Sequence, residues 1–311
     1  MKCLVTGAAG FIGNALTKRL VEEDHQVKAI IHTGKPKLSG DRVEYIIVDI
    51  TDASSLENIV CDCDVVFHCA ALVKDFGPKN MFNKVNVEGT KNIVDICKNT
   101  KCFIYLGHIR YESDNQSGYY FRSKYRAEQY LLDKYKQENF PVVIIRPGNV
   151  YGPGATTWVL RPLHAIQKNQ ISLIENGSGI FHHTYIDNLI DVLLTVMKKP
   201  KAIGESFDIT DGDHFVTWSR YLNDLAEIAG KKPINKNMSK TTASILSRLM
   251  MILYKVTRIT PLLTPTVVQI FTNKTEISIE KAEKILEYAP KIDYKEGMKQ
   301  VTRWIQEENL V

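Results

Sequence analysis

Two short motifs in the first half of the chain combine residue types and spacings that could support chemistry. One has glycines at positions 7, 10 and 13, between an apolar run and a helical pattern. The other has Tyr120 and Lys124, whose four-residue spacing places both side chains on one face of a helix. A phenol can exchange a proton with a carbonyl oxygen, and a nearby ammonium favours the phenolate and lowers the phenol pKa. The second motif therefore predicts a proton-transferring tyrosine.

The glycine motif predicts a binding site for a dinucleotide pyrophosphate. Glycine tolerates a tight turn, and the N-terminus of the helix that follows attracts an anion. We therefore expect contacts from this segment: Gly7, Gly10, Phe11, Ile12 and Gly13. A glycine-rich turn without a ligand is the alternative interpretation.

The end of the second predicted strand bears on which dinucleotide binds. In NAD-binding sheets an acidic residue about 20 positions beyond the glycines contacts the ribose. Here His32 occupies that position and Lys35 and Lys37 follow it. The chain has no carboxylate at this position that would repel a 2′-phosphate, and the nearby cations would attract one. The prediction is NADP, with NAD as the alternative, and a merely solvated loop would favour neither.

Composition excludes several classes of protein. The 311 residues carry a net charge of +5 without a basic stripe, so a nucleic-acid partner is not expected. No apolar run is long enough to span a bilayer, and no leader precedes the first strand, so we expect a cytoplasmic protein. Six cysteines without a C-x-x-C pair predict reduced core thiols and no metal site. A small-molecule substrate is the expected partner.

Predicted strands and helices alternate through the first half of the chain. The strands are expected at residues 2–6, 26–31, 43–49, 64–71, 102–106 and 142–145, with helices at 85–94 and 123–135. This alternation predicts a doubly wound parallel α/β sheet that binds ligands at the carboxyl ends of its strands. Residues 1–150 would form this domain. Residues 151–311 would mainly form a smaller substrate-binding lobe, with about 184–210 returning to the first domain.

Together these motifs resemble the extended short-chain dehydrogenase/reductases, also called the NAD-dependent epimerase/dehydratase family. The resemblance covers essentially the whole chain and rests on residues 6–13, 49–52, 68–71, 86–90, 120–124 and 146–153. The second half is most similar to the branch of 3β-hydroxysteroid dehydrogenases and dihydroflavonol reductases, at residues 263–265, 278–282 and 294–298. The resemblance implies a Rossmann-type fold and NAD(P)-dependent interconversion of a secondary alcohol and a ketone.

The resemblance also implies roles for individual residues. The cofactor would contact residues that follow strands: Asp49, Ile50, Ala70, Ala71, Pro147, Gly148, Asn149 and Val150. Asp49 would lie against the adenine, and Pro147 would flank the nicotinamide and the substrate. Tyr120 would be the catalytic acid and base, while Lys124 would tune its pKa and bind the nicotinamide ribose.

One departure from the family pattern affects the catalytic set. The fifth strand of the family usually ends with a serine or threonine that binds the substrate oxygen, whereas Leu106, Gly107 and His108 stand there. His108 is predicted to replace the missing donor, since a neutral imidazole can donate to an oxyanion. A histidine that only caps the strand end, in a partly disabled site, is the alternative.

Other functions stay open at this stage. A nucleotide-sugar epimerase or dehydratase would need cations for a diphosphate, and Arg161, Arg220 and Arg248 are available. A non-catalytic dinucleotide-binding scaffold would explain the missing hydroxyl. The amphipathic segment 242–257 could cover an apolar substrate pocket, contact a membrane peripherally or simply pack on the lobe. A homodimer also stays open.

Overall fold

The computed structural model describes most of the chain. The described residues are 1–34, 36, 38–57, 59, 62–110, 118–212 and 216–311. Lys35 and Lys37, two of the three cations considered for a 2′-phosphate, lie outside them, as does Cys61.

A parallel sheet of seven strands forms the centre of the molecule. The described residues form eleven strands in all: β1 (Lys2–Thr6), β2 (Gln26–Ile31), β3 (Val43–Ile47), β4 (Val65–His68), β5 (Cys102–Leu106), β6 (Val142–Pro147), β7 (Asn149–Tyr151), β8 (Leu173–Ile174), β9 (His183–Tyr185), β10 (Ser206–Ile209) and β11 (Asn237–Met238). Strands β7 and β9 pair separately, as do β8 and β11. The central sheet has the order β10-β6-β5-β4-β1-β2-β3, and each of its pairs is parallel. The predicted doubly wound Rossmann-type fold is confirmed.

Helices connect successive strands. They are α1 (Phe11–Glu22), α2 (Ala53–Leu56), α3 (Lys79–Asn83), α4 (Gly89–Ile96), α5 (Tyr119–Glu138), α6 (Arg161–Gln167), α7 (Ile186–Val196), α8 (Trp218–Ile228), α9 (Lys240–Thr257), α10 (Pro265–Thr272), α11 (Glu280–Leu286) and α12 (Tyr294–Glu307). The helix predicted at 85–94 differs from the observed one, because α3 already begins at Lys79 and a π-helical turn, Lys84–Glu88, joins it to α4. Wider turns of this kind are common near functional sites.

The central sheet is buried on both faces, which explains why its strands are nearly continuous apolar runs. Successive side chains point to opposite faces, so Val5 and Phe67 join one core while Leu4 and Val66 join the other. Helices α1 and α7 cover the first face, and α4 and α5 cover the second. All four of these strand side chains are essentially inaccessible to solvent.

The C-terminal lobe is built around stacked aromatic rings. Phe181 stacks on Tyr221 with ring centroids 3.8 Å apart, and Trp218 stacks on Phe271 at 3.9 Å. These rings belong to the same apolar core as the first face of the sheet. Strand β10 lies beside β6 at the sheet edge, and α7, which precedes it in the chain, covers the first face of the same sheet. The division of the chain into two domains at residue 150 stays a prediction.

Candidate active site

One continuous cleft of about 1340 Å³ runs along the carboxyl ends of the strands, from β2 across β1 and β4 to the C-terminal lobe. The order of the strands reverses between β1 and β4, and ligands of open α/β sheets bind at such a point. The predicted site residues that line the cleft are Gly7, Gly10, Phe11, Ile12, Gly13, His32, Asp49, Ile50, Ala70, Ala71, His108, Tyr120, Lys124, Pro147, Gly148 and Val150. We call this space the central cleft.

The glycine turn has a geometry that its sequence makes possible. Gly7 has φ +69°, and its carbonyl accepts a hydrogen bond from the Gly10 N–H at 2.9 Å. A Cβ at Gly7 would lie 2.8 Å from the Ala70 backbone, and one at Gly13 would lie 2.3 Å from the Gly7 oxygen. Both distances are too short for a side chain, so helix α1 approaches β1 and β4 only because glycines stand there.

The residues at the start of α1 fit the phosphates of a dinucleotide. Gly10 caps the helix without a side chain, and the first turn contains no acidic residue. The first N–H groups of the helix therefore face the central cleft without a carboxylate that would compete with an anion. A dinucleotide would be held here through its pyrophosphate.

A carboxylate from the neighbouring strand lies beside His32 at the end of β2. The Asp49 carboxylate lies 3.7 Å from His32 Nε2. Strands β2 and β3 are neighbours, so the residues that follow them meet although they are 17 positions apart in the chain. His32 therefore shares its surroundings with a negative charge, which weakens the argument for a 2′-phosphate.

Asn149 differs from the other residues predicted to contact the cofactor. Its side chain is buried, neither amide atom has a hydrogen-bond partner among the described residues, and it is not part of the wall of the central cleft. Its neighbours Pro147, Gly148 and Val150 do form part of that wall.

Tyr120 and Lys124 both reach the central cleft from the first two turns of α5. The Lys124 ammonium lies over the Tyr105 ring, 4.1 Å from its centroid, and burial lowers the Lys124 pKa to about 7. Burial raises the Tyr120 pKa to about 12. The expected lowering of the phenol pKa by Lys124 is therefore not found, because desolvation dominates both groups.

His108 lies beside Tyr120, and its tautomer can be deduced. The two rings meet edge to face with centroids 6.1 Å apart. His108 Nδ1 lies 2.6 Å from the Ile109 carbonyl oxygen, which only accepts hydrogen bonds, so Nδ1 carries a proton. Burial lowers the His108 pKa to about 4, so the ring is neutral and Nε2 carries no proton. An unprotonated nitrogen cannot donate a hydrogen bond, whereas the prediction from the sequence needed a donor.

A chain of buried hydrogen bonds links the ends of β1 and β4 to the π-helical turn. The Thr90 hydroxyl donates to the Asn86 carbonyl at 2.8 Å, so its oxygen accepts from His68 Nε2 at 2.9 Å. His68 Nδ1 then accepts from the Thr6 hydroxyl at 2.8 Å, and the Thr6 oxygen accepts from the Ala70 N–H at 3.1 Å. Burial lowers the His68 pKa to about 3, so this direction persists at neutral pH.

The same network continues to α5. The Asn86 side-chain amide donates to the Ser123 hydroxyl at 2.8 Å, and that hydroxyl donates to the Tyr120 carbonyl at 2.7 Å. Asn86 also accepts from the Leu72 N–H at 2.7 Å. The backbone under Tyr120 is thus tied to the loop after β4. This role of Asn86 and Ser123 was not predicted from the sequence. The signal that could have indicated a buried polar network is His68, the histidine at the end of the apolar strand β4.

A buried ion cluster fixes the other side of α5. Glu128 is buried and accepts from Arg146 Nη2 at 2.5 Å and from Arg110. Arg146 also lies 3.5 Å from Asp208 on β10. The segment after His108 is thereby held to α5 and to β6, which positions the end of β5.

The lobe side of the central cleft is largely apolar. Its side chains include Trp158, Ile171, Trp218, Leu222, Met238, Leu246, Met250, Leu263, Val267, Ile270 and Phe271. Of the three arginines considered for a diphosphate, Arg161 lines the cleft, and it faces Asp75 at 3.7 Å. Arg220 stacks on the Tyr294 ring, and Arg248 is exposed.

The fold and the cleft define a dinucleotide-binding enzyme of the Rossmann type, and comparison with known proteins identifies its family. The model of the NAD-dependent epimerase/dehydratase family matches residues 3–210. The chain therefore belongs to the NAD-dependent epimerase/dehydratase family, and it is an NAD(P)-dependent oxidoreductase.

Several relatives are similar over nearly the full length. The chain is 26% identical to mouse (Mus musculus) sterol-4-alpha-carboxylate 3-dehydrogenase, decarboxylating, covering 97% of this chain and 90% of the relative. It is 28% identical to 2-alkyl-3-oxoalkanoate reductase of Stenotrophomonas maltophilia, covering 97% and 98%. The structure of the Bordetella bronchiseptica enzyme WbmF in complex with NADH has a TM-score of 0.78 at 19% identity, covering 99% and 93%, and shows the same fold.

Proposed function

We propose that this enzyme interconverts a secondary alcohol and a ketone on an apolar substrate, with Tyr120 as the acid and base. The observation that carries the proposal is the position of Tyr120 and Lys124 in one continuous cleft, between the glycine turn and the apolar lobe wall. A nicotinamide dinucleotide bound at the glycine turn would supply the hydride chemistry.

Tyr120 acts as a proton donor in the direction of reduction. Its pKa of about 12 keeps the phenol protonated at neutral pH, so the proton is available when a substrate oxygen becomes an alkoxide. In the reverse direction the phenolate accepts the alcohol proton. The bonds through Ser123 and Asn86 fix the backbone of Tyr120, which keeps the phenol oriented toward the cleft.

Lys124 holds the cofactor and influences the phenol. Its amine would bind the nicotinamide ribose, as the resemblance to the family implies. With a pKa of about 7, Lys124 carries its full charge only below neutral pH. A charged Lys124 favours the phenolate of Tyr120, so the rate depends on the protonation of both groups.

His108 does not supply the hydrogen-bond donor that the family's serine or threonine would provide. Its Nδ1 proton is donated to the Ile109 carbonyl, and Nε2 carries no proton, so the neutral ring cannot donate to an oxyanion. We therefore assign the proton that reaches the substrate oxygen to Tyr120, with His108 forming the cleft wall beside the phenol.

The apolar lobe wall supports a lipid-like substrate. Two relatives that match over nearly the full length are named for a sterol carboxylate and for 2-alkyl-3-oxoalkanoates, both largely hydrocarbon. A nucleotide-sugar substrate remains the second candidate because the family includes such epimerases, one of them UDP-glucose 4-epimerase of Vibrio cholerae at 30% identity. Of the three arginines considered for the diphosphate of a nucleotide sugar, Arg161 alone belongs to the described cleft wall.

Consumption of NADPH or NADH with a panel of apolar ketones, followed by absorbance, tests the proposal. We expect turnover of long-chain 3-oxo compounds or steroid ketones and a loss of about 10³-fold in kcat/KM for Tyr120→Phe. The matched control is Tyr119→Phe on the same helix, which removes a hydroxyl from an exposed side chain and leaves turnover unchanged. Equal turnover by Tyr120→Phe, or activity confined to nucleotide sugars, would refute the proposal.

The same assay decides the cofactor. Preference for NADPH stays the prediction from His32, while the neighbouring Asp49 carboxylate supports NADH. Replacing Asp49 with Asn removes the negative charge and is expected to shift the preference toward NADPH. No shift would show that the ribose phosphate lies away from this pair.

A further inference from the structure

The segment from α9 to the start of α10 exposes an unusual amount of hydrocarbon. Fourteen large hydrophobic side chains are exposed among the described residues, and half of them lie within this segment: Ile245, Leu249, Ile252, Leu253, Val256, Ile259 and Leu262. Val256 is 81% exposed and Leu262 is 68% exposed. Scattered single residues of this kind are ordinary, but a concentration marks an interaction surface.

The exposed side chains form one stripe along the helix. Ile245, Leu249, Ile252 and Val256 recur at intervals of three or four residues, which is the spacing of one helix face. Only Ala243 and Ser247 of α9 are fully buried. The helix therefore turns its small residues toward the protein and its aliphatic residues outward, the reverse of a helix that serves only to pack on a lobe.

The charge of the same segment is entirely positive. Residues 239–264 contain Lys240, Arg248, Lys255 and Arg258 and no aspartate or glutamate. Arg248 and Lys255 flank the aliphatic stripe, and Arg258 follows the helix. An aliphatic stripe bordered by cations matches a bilayer surface that carries anionic headgroups.

We propose that α9 and the loop after it, residues 240–263, dock this enzyme on the surface of an anionic lipid bilayer. The contact is peripheral, because no helix in the described part of the chain has the length and apolar character to cross a membrane. A second copy of the chain fits the surface less well. A symmetric contact would bring the four cations of one copy against those of the other without a carboxylate between them.

The docked segment also reaches the central cleft. Leu246 and Met250 line the cleft from one side of α9, and residues 260–263 line it from the loop. Leu262 belongs both to the cleft wall and to the exposed surface. If the proposed function holds, a lipid-like ketone enters the cleft directly from the bilayer past this loop.

Flotation of the full chain with vesicles tests the docking. We expect binding to phosphatidylcholine vesicles that contain phosphatidylglycerol, weaker binding to pure phosphatidylcholine, and release as the salt concentration rises. Ile252→Gln with Val256→Gln should lower the partition coefficient at least about tenfold. Neutralising Arg248, Lys255 and Arg258 to Gln should lower binding to anionic vesicles about fivefold per charge.

The matched control replaces two equally exposed aliphatic side chains elsewhere, Ile47→Gln with Val311→Gln, and should bind like the wild type. The α9 double variant should still reduce a short water-soluble ketone at the wild-type rate, which separates a failure of docking from a failure of the proposed function. The proposal would be overturned if the wild-type protein bound neither kind of vesicle, or if the α9 variants bound vesicles as strongly as the wild type. So would a wild-type dimer that the α9 double variant converts to a monomer in light scattering.

Discussion

The two sides of the central cleft are specified by opposite kinds of interaction. On the sheet side, a directional chain of buried hydrogen bonds runs from Thr6 through His68 and Thr90 to Asn86. On the lobe side, α9 contributes two buried small residues and a row of exposed aliphatic side chains. The first region has few alternative arrangements because each donor meets a defined acceptor.

We infer from this difference that the sheet side of the cleft serves the chemistry and that the lobe side serves the entry of the substrate. Under the proposed function, the glycine turn and the hydrogen-bond chain hold the reacting groups in fixed positions, as proton and hydride transfer require. The α9 region is held by few buried contacts and is suited to adapt to a surface or a bulky substrate. Variants on the sheet side should therefore impair binding and turnover strongly, and variants on the outer face of α9 should spare the fold.

The largest expected effect on dinucleotide binding comes from Gly13→Ala. The new Cβ would lie 2.3 Å from the Gly7 oxygen, so α1 must move away from β1 and carry its N-terminus with it. We expect the Kd for the dinucleotide, measured by fluorescence titration, to rise about a hundredfold, equivalent to about 2.7 kcal/mol.

Gly10→Ala is the matched control for this prediction. Its Cβ would lie 3.1 Å from the same Gly7 oxygen, a contact that a small shift relieves. We expect a loss of dinucleotide affinity at least several-fold smaller. Equal affinities for the two variants would mean that the closeness of α1 to the strand does not matter for binding.

A similarly large effect is expected from Lys124→Met, which keeps the length of the side chain and removes its charge. We expect kcat/KM to fall about a hundredfold. Since the Lys124 pKa is about 7, the charged form is lost as the pH rises through 7, and kcat/KM of the wild type should decrease there. The variant should lose this step in the pH profile.

Lys134→Met on the same helix provides the comparison for Lys124→Met. Lys134 is half-buried and pairs with Glu138 away from the cleft. It should retain both the rate and the pH profile of the wild type. A wild-type profile without a step near pH 7 would contradict the buried environment assigned to Lys124.

A moderate effect is expected on acid stability through His68. Its folded-state pKa of about 3 lies below the ordinary value of 6.5, so the neutral form is favoured in the fold. The stabilisation is complete above about pH 6.5 and is lost progressively toward pH 3, by about 1.4 kcal/mol per pH unit. The free energies of unfolding of the wild type and His68→Gln, measured with urea, should therefore converge between pH 6.5 and 4.5.

The difference between the two proteins is the informative quantity, because Asp211 acts in the opposite direction. Burial raises its pKa to about 7, so the fold gains stability from Asp211 as the pH falls through 7. His164→Gln, at an exposed histidine, should stay parallel to the wild type across this range. Parallel curves for His68→Gln would show that the buried imidazole is already charged.

The sequence was sufficient for features that depend on local pattern. Apolar runs separated by helical segments predicted the parallel sheet, and Gly7 and Gly13 predicted a close strand–helix turn that the structure shows. The spacing of Tyr120 and Lys124 was enough to place both in the cleft. These signals are local because one strand or one helix turn contains all the residues involved.

Features that depend on packing were out of reach. The position of the Asp49 carboxylate beside His32 follows from the order of the strands in the sheet. The tautomer of His108 follows from the contact of its Nδ1 with the carbonyl oxygen of the next residue, Ile109. The pKa of Tyr120 is set by desolvation, which no sequence spacing reveals. The periodicity of residues 242–257 predicts an amphipathic helix, but periodicity alone cannot show which face of α9 packs against the protein.

The smallest expected effect concerns the outer face of α9. Ile252→Gln with Val256→Gln should change the free energy of unfolding by no more than about 0.5 kcal/mol in urea, because these side chains are exposed in the fold. Leu225→Ala, in the fully buried core of the same lobe, should cost about 2–5 kcal/mol. A large loss in the double variant would place the stripe in a buried contact and remove the physical basis for a free docking surface. A negligible loss together with weaker vesicle binding would mean that these aliphatic side chains serve a partner rather than the fold.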